Sequence, residues 1–135
     1  MAVGDSALGE LYPVPGFRLG TVSAGIKRPG RPDLVLMELA DSANTAAVFT
    51  RNAFCAAPVV VARDNLRSCA GKSRYWLVNT GNANAGTGQA GIAAARACTE
   101  TVASIAAVAQ ASVLPFSTGV AGQPPAAGRL QAAGP

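Results

Sequence analysis

Two polar runs carry the residue types in this chain that could do chemistry. The first is Ser117-Thr118-Gly119-Val120, which follows an apolar stretch and gathers two hydroxyls and a glycine amide at one point. A hydroxyl beside a backbone N–H can receive the negative charge that develops on a carbonyl oxygen during acyl transfer. An ordinary turn rich in Ser and Thr would use the same residues for local hydrogen bonding alone. The second run is Asn79–Gly88, with three Asn, two Thr and three Gly in ten positions. Its backbone can bend sharply and offers many donors. It lies between an apolar strand pattern and an Ala-rich helical one, a junction where α/β proteins often place binding sites.

Within the second run, Gly86-Thr87-Gly88-Gln89-Ala90-Gly91 matches GxGxxG after a strand and at the start of a helix, the pattern of a dinucleotide-binding turn. Two observations count against that reading. The strand ends about seven residues before Gly86, and no Asp or Glu closes the next strand to bind a ribose hydroxyl. Glycines serving a tight turn and close helix packing explain the match equally well. The chain contains no histidine. A Ser-His-Asp or Cys-His mechanism therefore cannot be assembled within it, and histidine metal ligands are excluded. Catalysis would have to use hydroxyls, amides, backbone donors, the few carboxylates or a lysine. Lys27 could contact an anion or simply be a solvated turn lysine.

The elements that must position these residues follow from hydrophobic period. Phe17–Ile26 has moderate strand character, and Lys27–Pro32 reads as a turn. Asp33–Ala40 is a continuous apolar strand. Ala46–Thr50 and Val59–Ala62 read as two more strands joined by Arg51–Pro58, with Phe49-Thr50-Arg51-Asn52 and Ala56-Ala57-Pro58-Val59 as scaffold. Asp64–Cys69 forms a short helix and Tyr75–Asn79 a further strand. From Gln89 to about Gln110 the period becomes helical. Ile92, Ala95, Thr99, Val102, Ile105, Ala106 and Ala109 share one face; Arg96, Glu100 and Ser104 share another. Thr87 stands where an N-cap hydroxyl would satisfy a first-turn amide. Val113–Phe116 is the last strand. Several strands and one long helix predict an α+β chain or a layered sandwich with mixed sheets.

Composition narrows the function classes. With half of its 135 residues hydrophobic and 13% charged, the chain can bury a core, as one domain or part of a larger one. Much of that half is Ala, so the core must rest on Val, Leu, Ile and Phe. The net charge of +4 is dispersed, with only Lys27, Arg28 and Arg31 clustered. No basic stripe with interleaved aromatics points to nucleic acid. The interval between Glu100 and Arg129 lacks charge but holds Pro115 and mostly Ala, Ser and Thr, which argues against a membrane span. Met1–Leu11 has no apolar signal core. The cysteines Cys55, Cys69 and Cys98 form no metal spacing and read as reduced, buried thiols, giving a cytoplasmic expectation.

In sequence order, several blocks resemble the N-terminal part of the α chain of the ornithine acetyltransferase family (glutamate N-acetyltransferase, arginine biosynthesis). They are Pro15-Gly16-Phe17 with Gly20, Gly25-Ile26-Lys27, Asp33-Leu34, Val48-Phe49-Thr50-Arg51-Asn52 and Ala56-Ala57-Pro58-Val59. Val78-Asn79-Thr80-Gly81-Asn82-Ala83-Asn84-Ala85 and Ser117-Thr118-Gly119-Val120 complete the series. The resemblance implies a layered α/β sandwich, present here only in part. It implies a precursor that cuts itself into α and β chains, which pair as a heterotetramer. The new N-terminal Thr of the β chain is then the nucleophile, its own amine available as the base. Acetyl passes from N-acetylornithine to glutamate, with acetyl-CoA a donor substrate in some members and no further cofactor. The family's oxyanion hole maps onto Thr118 and Gly119.

By the same resemblance, residues 1–120 are the N-terminal portion of that α chain. Residues 121–135 form an Ala/Gly/Pro-rich tail that departs from the family's pattern, with 11 of 15 positions drawn from those three types. The cleavage site and nucleophile are not in the chain, so it should not catalyse alone. A nucleotide-binding module using Gly86–Gly91 and a non-catalytic truncated product are the alternatives.

Overall fold

The computed structural model describes residues 9–10, 12–26 and 29–123. Lys27, Arg28 and the tail from Pro124 lie outside the described residues, and so do the expectations placed on them.

Among the described residues a single sheet holds four strands in the order β1-β2-β3-β4. They are β1 (Phe17–Val22), β2 (Leu34–Leu39), β3 (Tyr75–Asn82) and β4 (Val113–Val120). The first three meander antiparallel, while β3 and β4 run parallel. A parallel neighbour needs a crossover, and α2 (Gly88–Ala106) supplies it. This is the mixed α+β, layered architecture that the sequence predicts.

Helix α2 lies on the sheet face that carries Leu34, Leu77 and Val113, where Cys98, Val102 and Ala103 complete the core cluster. The polar side was legible: Arg96, Glu100 and Ser104 are all exposed. The apolar side was less so, since Ile105 is 52% exposed and the helix stops at Ala106. Ala107 turns left-handed (φ 53°) there, and the Val108 N–H returns to the Ala103 carbonyl at 3.0 Å. That closure lets Val108 hook back against the core instead of continuing the helix.

The two strands read at residues 46–50 and 59–62 are corrected, while the short helix read at Asp64–Cys69 is the second half of a longer helix. Residues 46–50 make no ladder, and Val59–Ala62 lies inside a helix, α1 (Ala57–Ser68). The run of three valines suggested a strand. Yet the buried positions Ala57, Pro58, Val61, Ala62 and Leu66 recur at helical spacing, and Pro58 suits a first turn. Tertiary packing overrides β propensity here: Ala62 and Leu66 cluster with Leu114, and Phe49, Cys69 and Trp76 pack around them. Helix α1 also covers the free edge of β4, where the Asn65 side-chain amide donates to the Val113 carbonyl at 2.8 Å.

Strand β1 ends earlier than expected because the Asp33 carboxylate takes over its backbone. The Ala24 and Ile26 N–H groups both donate to it, each at 2.6 Å. Strands β3 and β4 instead run three and four residues longer than predicted, to Asn82 and Val120. Asn, Thr and Gly are poor strand formers individually, but the parallel ladder carries them through Asn79↔Ser117, Thr80↔Thr118, Gly81↔Gly119 and Asn82↔Val120.

Candidate functional site

The two polar runs of the sequence come together as neighbouring strand ends. Asn79-Thr80-Gly81-Asn82 and Ser117-Thr118-Gly119-Val120 pair residue for residue, so one Thr-Gly dipeptide lies beside another. Both glycines have positive φ, 106° at Gly81 and 135° at Gly119, a region that side-chain-bearing residues avoid. Gly119 also touches its neighbour closely. A Cβ built on it would sit 2.6 Å from the Asn82 nitrogen and 2.7 Å from the Gly81 oxygen, inside any real contact.

Thr118 and Gly119 are exposed. The side chains of Thr118 and Thr80 project from the face opposite α2, as strand alternation from Leu77 and Val113 requires. The Thr118 hydroxyl makes no hydrogen bond to any described residue. The Ser112 and Val120 carbonyls both point at β3, accepting from the Arg74 and Ala83 N–H groups at 2.7 and 3.0 Å. By the same alternation, the Gly119 amide faces the opposite edge of β4. A free hydroxyl and an outward N–H thus stand on consecutive residues. No ionisable side chain occurs in 79–88 or 113–120, so this site offers dipoles instead of charge.

Beneath the exposed pair lies a buried amide network. Asn79, Asn82 and Asn84 are each less than a tenth exposed. The Ser117 hydroxyl lies 2.5 Å from the Asn79 Oδ1, and the Asn79 Nδ2 donates to the Asn82 carbonyl at 2.9 Å. The Asn84 N–H donates to the Asn82 Oδ1 at 2.7 Å, and the Asn84 Nδ2 to the Gly91 carbonyl at 2.9 Å. No buried side-chain polar atom among the described residues lacks a partner. A void of about 20 Å³, bordered by Asn79, Asn82, Asn84 and Ser117 among others, leaves room for one water.

The GxGxxG glycines have structural duties in this arrangement. Gly86 (φ 72°) passes under the Phe54 ring, and a Cβ there would meet it at 3.1 Å. Gly91 leaves space for Asn84, whose Oδ1 a Cβ would approach to 2.5 Å, and for Thr87. Thr87 does precede the helix, but its hydroxyl donates to the Asn84 Oδ1 at 2.7 Å and caps no helix amide. This corrects the N-cap expectation: the hydroxyl is turned toward the buried Asn84 side chain and away from the first-turn amides. The strand runs to Asn82, so the turn is shorter than the sequence suggested, but no carboxylate closes β4. Nothing in this turn requires a nucleotide to explain it.

Other expectations divide. The Phe49–Asn52 segment is scaffold: Phe49 packs against the α1 cluster, and the Asn52 and Phe54 amides close local side-chain turns. Of the three free cysteines only Cys98 is buried, while Cys55 and Cys69 are half-buried. Burial pushes the Cys98 thiol pKa up. Desolvation, followed by the nearby Glu38 carboxylate, does the same to the Tyr75 phenol. The described residues contain no metal-binding cluster, and no helix among them is long and apolar enough to cross a membrane. Sequence reasoning missed the Asn79–Ser117 pairing and the juxtaposed Thr80. The repeated Thr-Gly was a visible hint, but only the register turns it into a contact.

Comparison with known proteins gives the family and the fold. The sequence model of the ArgJ family matches residues 18–134. The chain belongs to the ArgJ family. It is 56% identical to the arginine biosynthesis bifunctional protein ArgJ of Pseudomonas syringae pv. tomato over 124 residues, which is 92% of this chain and 30% of that protein. The ArgJ of Methylococcus capsulatus is 54% identical over 84% of this chain and 27% of its own length. This chain therefore spans about 30% of the length of such relatives.

The fold agrees with solved ArgJ-family structures. The crystal structure of ArgJ from Bacillus halodurans superposes with a TM-score of 0.81 at 30% identity, covering 87% of this chain and 61% of that one. Ornithine acetyltransferase from Mycobacterium tuberculosis, solved as a complex with ornithine, gives a TM-score of 0.81 at 37% identity. It covers 88% of this chain and 64% of that one. The four-stranded sheet and its two helices are thus part of the ArgJ fold.

Proposed function

We propose that this chain is the N-terminal segment of an acetyltransferase of arginine biosynthesis that moves acetyl from N-acetylornithine to glutamate. The observation that carries the reading is the exposed Thr118-Gly119 pair, a partner-free hydroxyl beside an outward amide at a strand end fixed by two close-packed glycines. Family membership and the ornithine bound to a solved relative support the substrate class.

In this mechanism a threonine hydroxyl, at the new N-terminus of a β chain cut from the same precursor, attacks the acetyl carbonyl. Its own amine takes the proton. As the carbonyl carbon becomes tetrahedral, its oxygen gains negative charge, which the Thr118 O–H and Gly119 N–H stabilise. The C–N bond breaks, ornithine leaves with a proton on its amine, and acetyl remains on the threonine. The glutamate amine then attacks the acetyl-threonine, whose oxyanion the same two donors stabilise. The ester C–O bond breaks, and the proton lost by the attacking amine returns to the threonine oxygen through the N-terminal amine. Acetyl-CoA would be an alternative donor at the first step, and the reaction runs in the cytoplasm.

The β chain would also cover the sheet face away from α2. Leu19, Val35, Met37, Trp76, Val78 and Phe116 share that face by register, with Leu19 59% and Phe116 39% exposed. Such apolar exposure is what a chain of a paired assembly presents when its partner is absent.

The test is a complete enzyme, residues 1–120 of this chain continued by the remainder of the Pseudomonas syringae relative. Thr118→Ala should lower kcat by roughly 10²–10³, the usual loss for one oxyanion donor. Initial rates should give the parallel lines of a ping-pong mechanism. An unchanged kcat would remove Thr118 from the chemistry.

A further inference from the structure

The exposed pair lies on backbone whose glycines contribute no side chain of their own to hold it. Thr80-Gly81 and Thr118-Gly119 are bracketed on both sides by hydrogen bonds between β3 and β4. On the far side the Ala83 N–H donates to the Val120 carbonyl at 3.0 Å. On the near side Asn79 is 6% exposed and uses both ends of its amide. Its Oδ1 is bound by the Ser117 hydroxyl at 2.5 Å, tying β3 to β4 one residue before Thr118. Its Nδ2 reaches the Asn82 carbonyl at 2.9 Å, fixing β3 on the other side of Gly81.

Between the brackets the two strands stay paired, but both glycines occupy positive φ and have no side chain of their own to fix the backbone direction. Gly119 meets the Gly81–Asn82 peptide by backbone contact. A donor that must meet a developing charge within tenths of an ångström needs such a span to be held by its neighbours.

The geometry points to Asn79 as a positioning residue for acetyl transfer, acting through Ser117 to set the direction of the Thr118 hydroxyl and the Gly119 amide. This rests on the oxyanion role proposed for that pair. Asn79 touches neither donor, so its contribution is to alignment alone. One hydrogen bond links Asn79 to Ser117, so removing either side chain removes that shared constraint, and Asn79→Ala also removes the bond to the Asn82 carbonyl.

The experiment is steady-state kinetics on the complete enzyme described above, with thermal midpoints measured for every variant. Asn79→Ala and Ser117→Ala should each lower kcat by about 10- to 100-fold with KM within about threefold, the pattern of an interaction needed in the transition state. The double variant should be no worse than the worse single. Ser117→Thr keeps the hydroxyl that binds the Asn79 Oδ1, so it should restore most of the rate. If Asn79→Ala fails to fold, the Ser117→Ala and Ser117→Thr pair decides the matter alone.

Several outcomes overturn the proposal: an unchanged kcat in Ser117→Ala, a loss that appears equally in KM, or full additivity in the double variant. Failure of Ser117→Thr to recover activity does so as well. Thr118→Ala separates the two readings. If it loses activity while the Asn79 and Ser117 variants do not, the oxyanion pair stands and the positioning role falls. If Thr118→Ala is fully active, the oxyanion reading itself is refuted.

Discussion

Replacing Gly119 by Ala tests whether the contact between the ends of β3 and β4 shapes the site. The new Cβ would lie 2.6 Å from the Asn82 nitrogen and 2.7 Å from the Gly81 oxygen. Both are backbone atoms paired into a sheet, so no rotamer change can relieve them. Holding an L-residue at φ 135° adds strain, on the order of 1–3 kcal/mol. Forcing a methyl into a filled site costs about 1–3 kcal/mol, with the upper part of that range expected against rigid backbone. Together they give roughly 3–6 kcal/mol, a large share of the ~5–15 kcal/mol that holds a domain folded.

For a chain of 135 residues, this corresponds to a thermal midpoint lower by about 10–20 °C. The assay is urea and thermal unfolding followed by the fluorescence of Trp76, the only tryptophan. That ring meets Phe116 of β4 edge-on, with centroids 6.0 Å apart, so it reports on the strand pair itself. Gly20→Ala is the control. Gly20 has no heavy atom within 4 Å of a built Cβ and no positive φ, and its substitution should stay within about 1 kcal/mol of the parent. A Gly119→Ala midpoint within that same margin, or a Gly20→Ala loss just as large, would refute the close-contact argument.

Two further predictions concern stability. Ala107 holds a left-handed conformation at the end of α2 (φ 53°). Ala107→Gly should therefore stabilise the fold by about 0.5–1 kcal/mol, read as a higher urea midpoint at an unchanged slope; a lower midpoint would contradict it. The neutral forms of Tyr75 and Cys98 are favoured in the folded state, chiefly by desolvation. Both pKa values are raised above their unfolded values, so this contribution is complete at neutral pH and is lost as pH climbs through the alkaline range. The urea midpoint should fall above about pH 9, and Tyr75→Phe should flatten that fall. A midpoint that rises with alkaline pH would show the sign to be wrong.

What the sequence determined by itself is whatever local period encodes. The alternation and apolar runs of β1, β2, β3 and β4 and the polar stripe Arg96–Glu100–Ser104 were readable because each depends on neighbours a few residues away. The residue types of the candidate site were readable too, since two runs of Asn, Ser, Thr and Gly stand out against an Ala-rich background. Helix α1 was misread because three consecutive valines outweighed a helical spacing that only packing on Leu114 makes decisive. The tertiary structure alone decided that Asn79 faces Ser117 across 38 positions of chain and that Gly119 lies against Gly81. Those contacts depend on the α2 crossover, which lays β4 parallel to β3 in one register. Register is a relation between distant segments, fixed by how the helix buries Cys98, Val102 and Ala103 on the sheet. Sequence supplied the Thr-Gly pair, and folding placed a second one beside it.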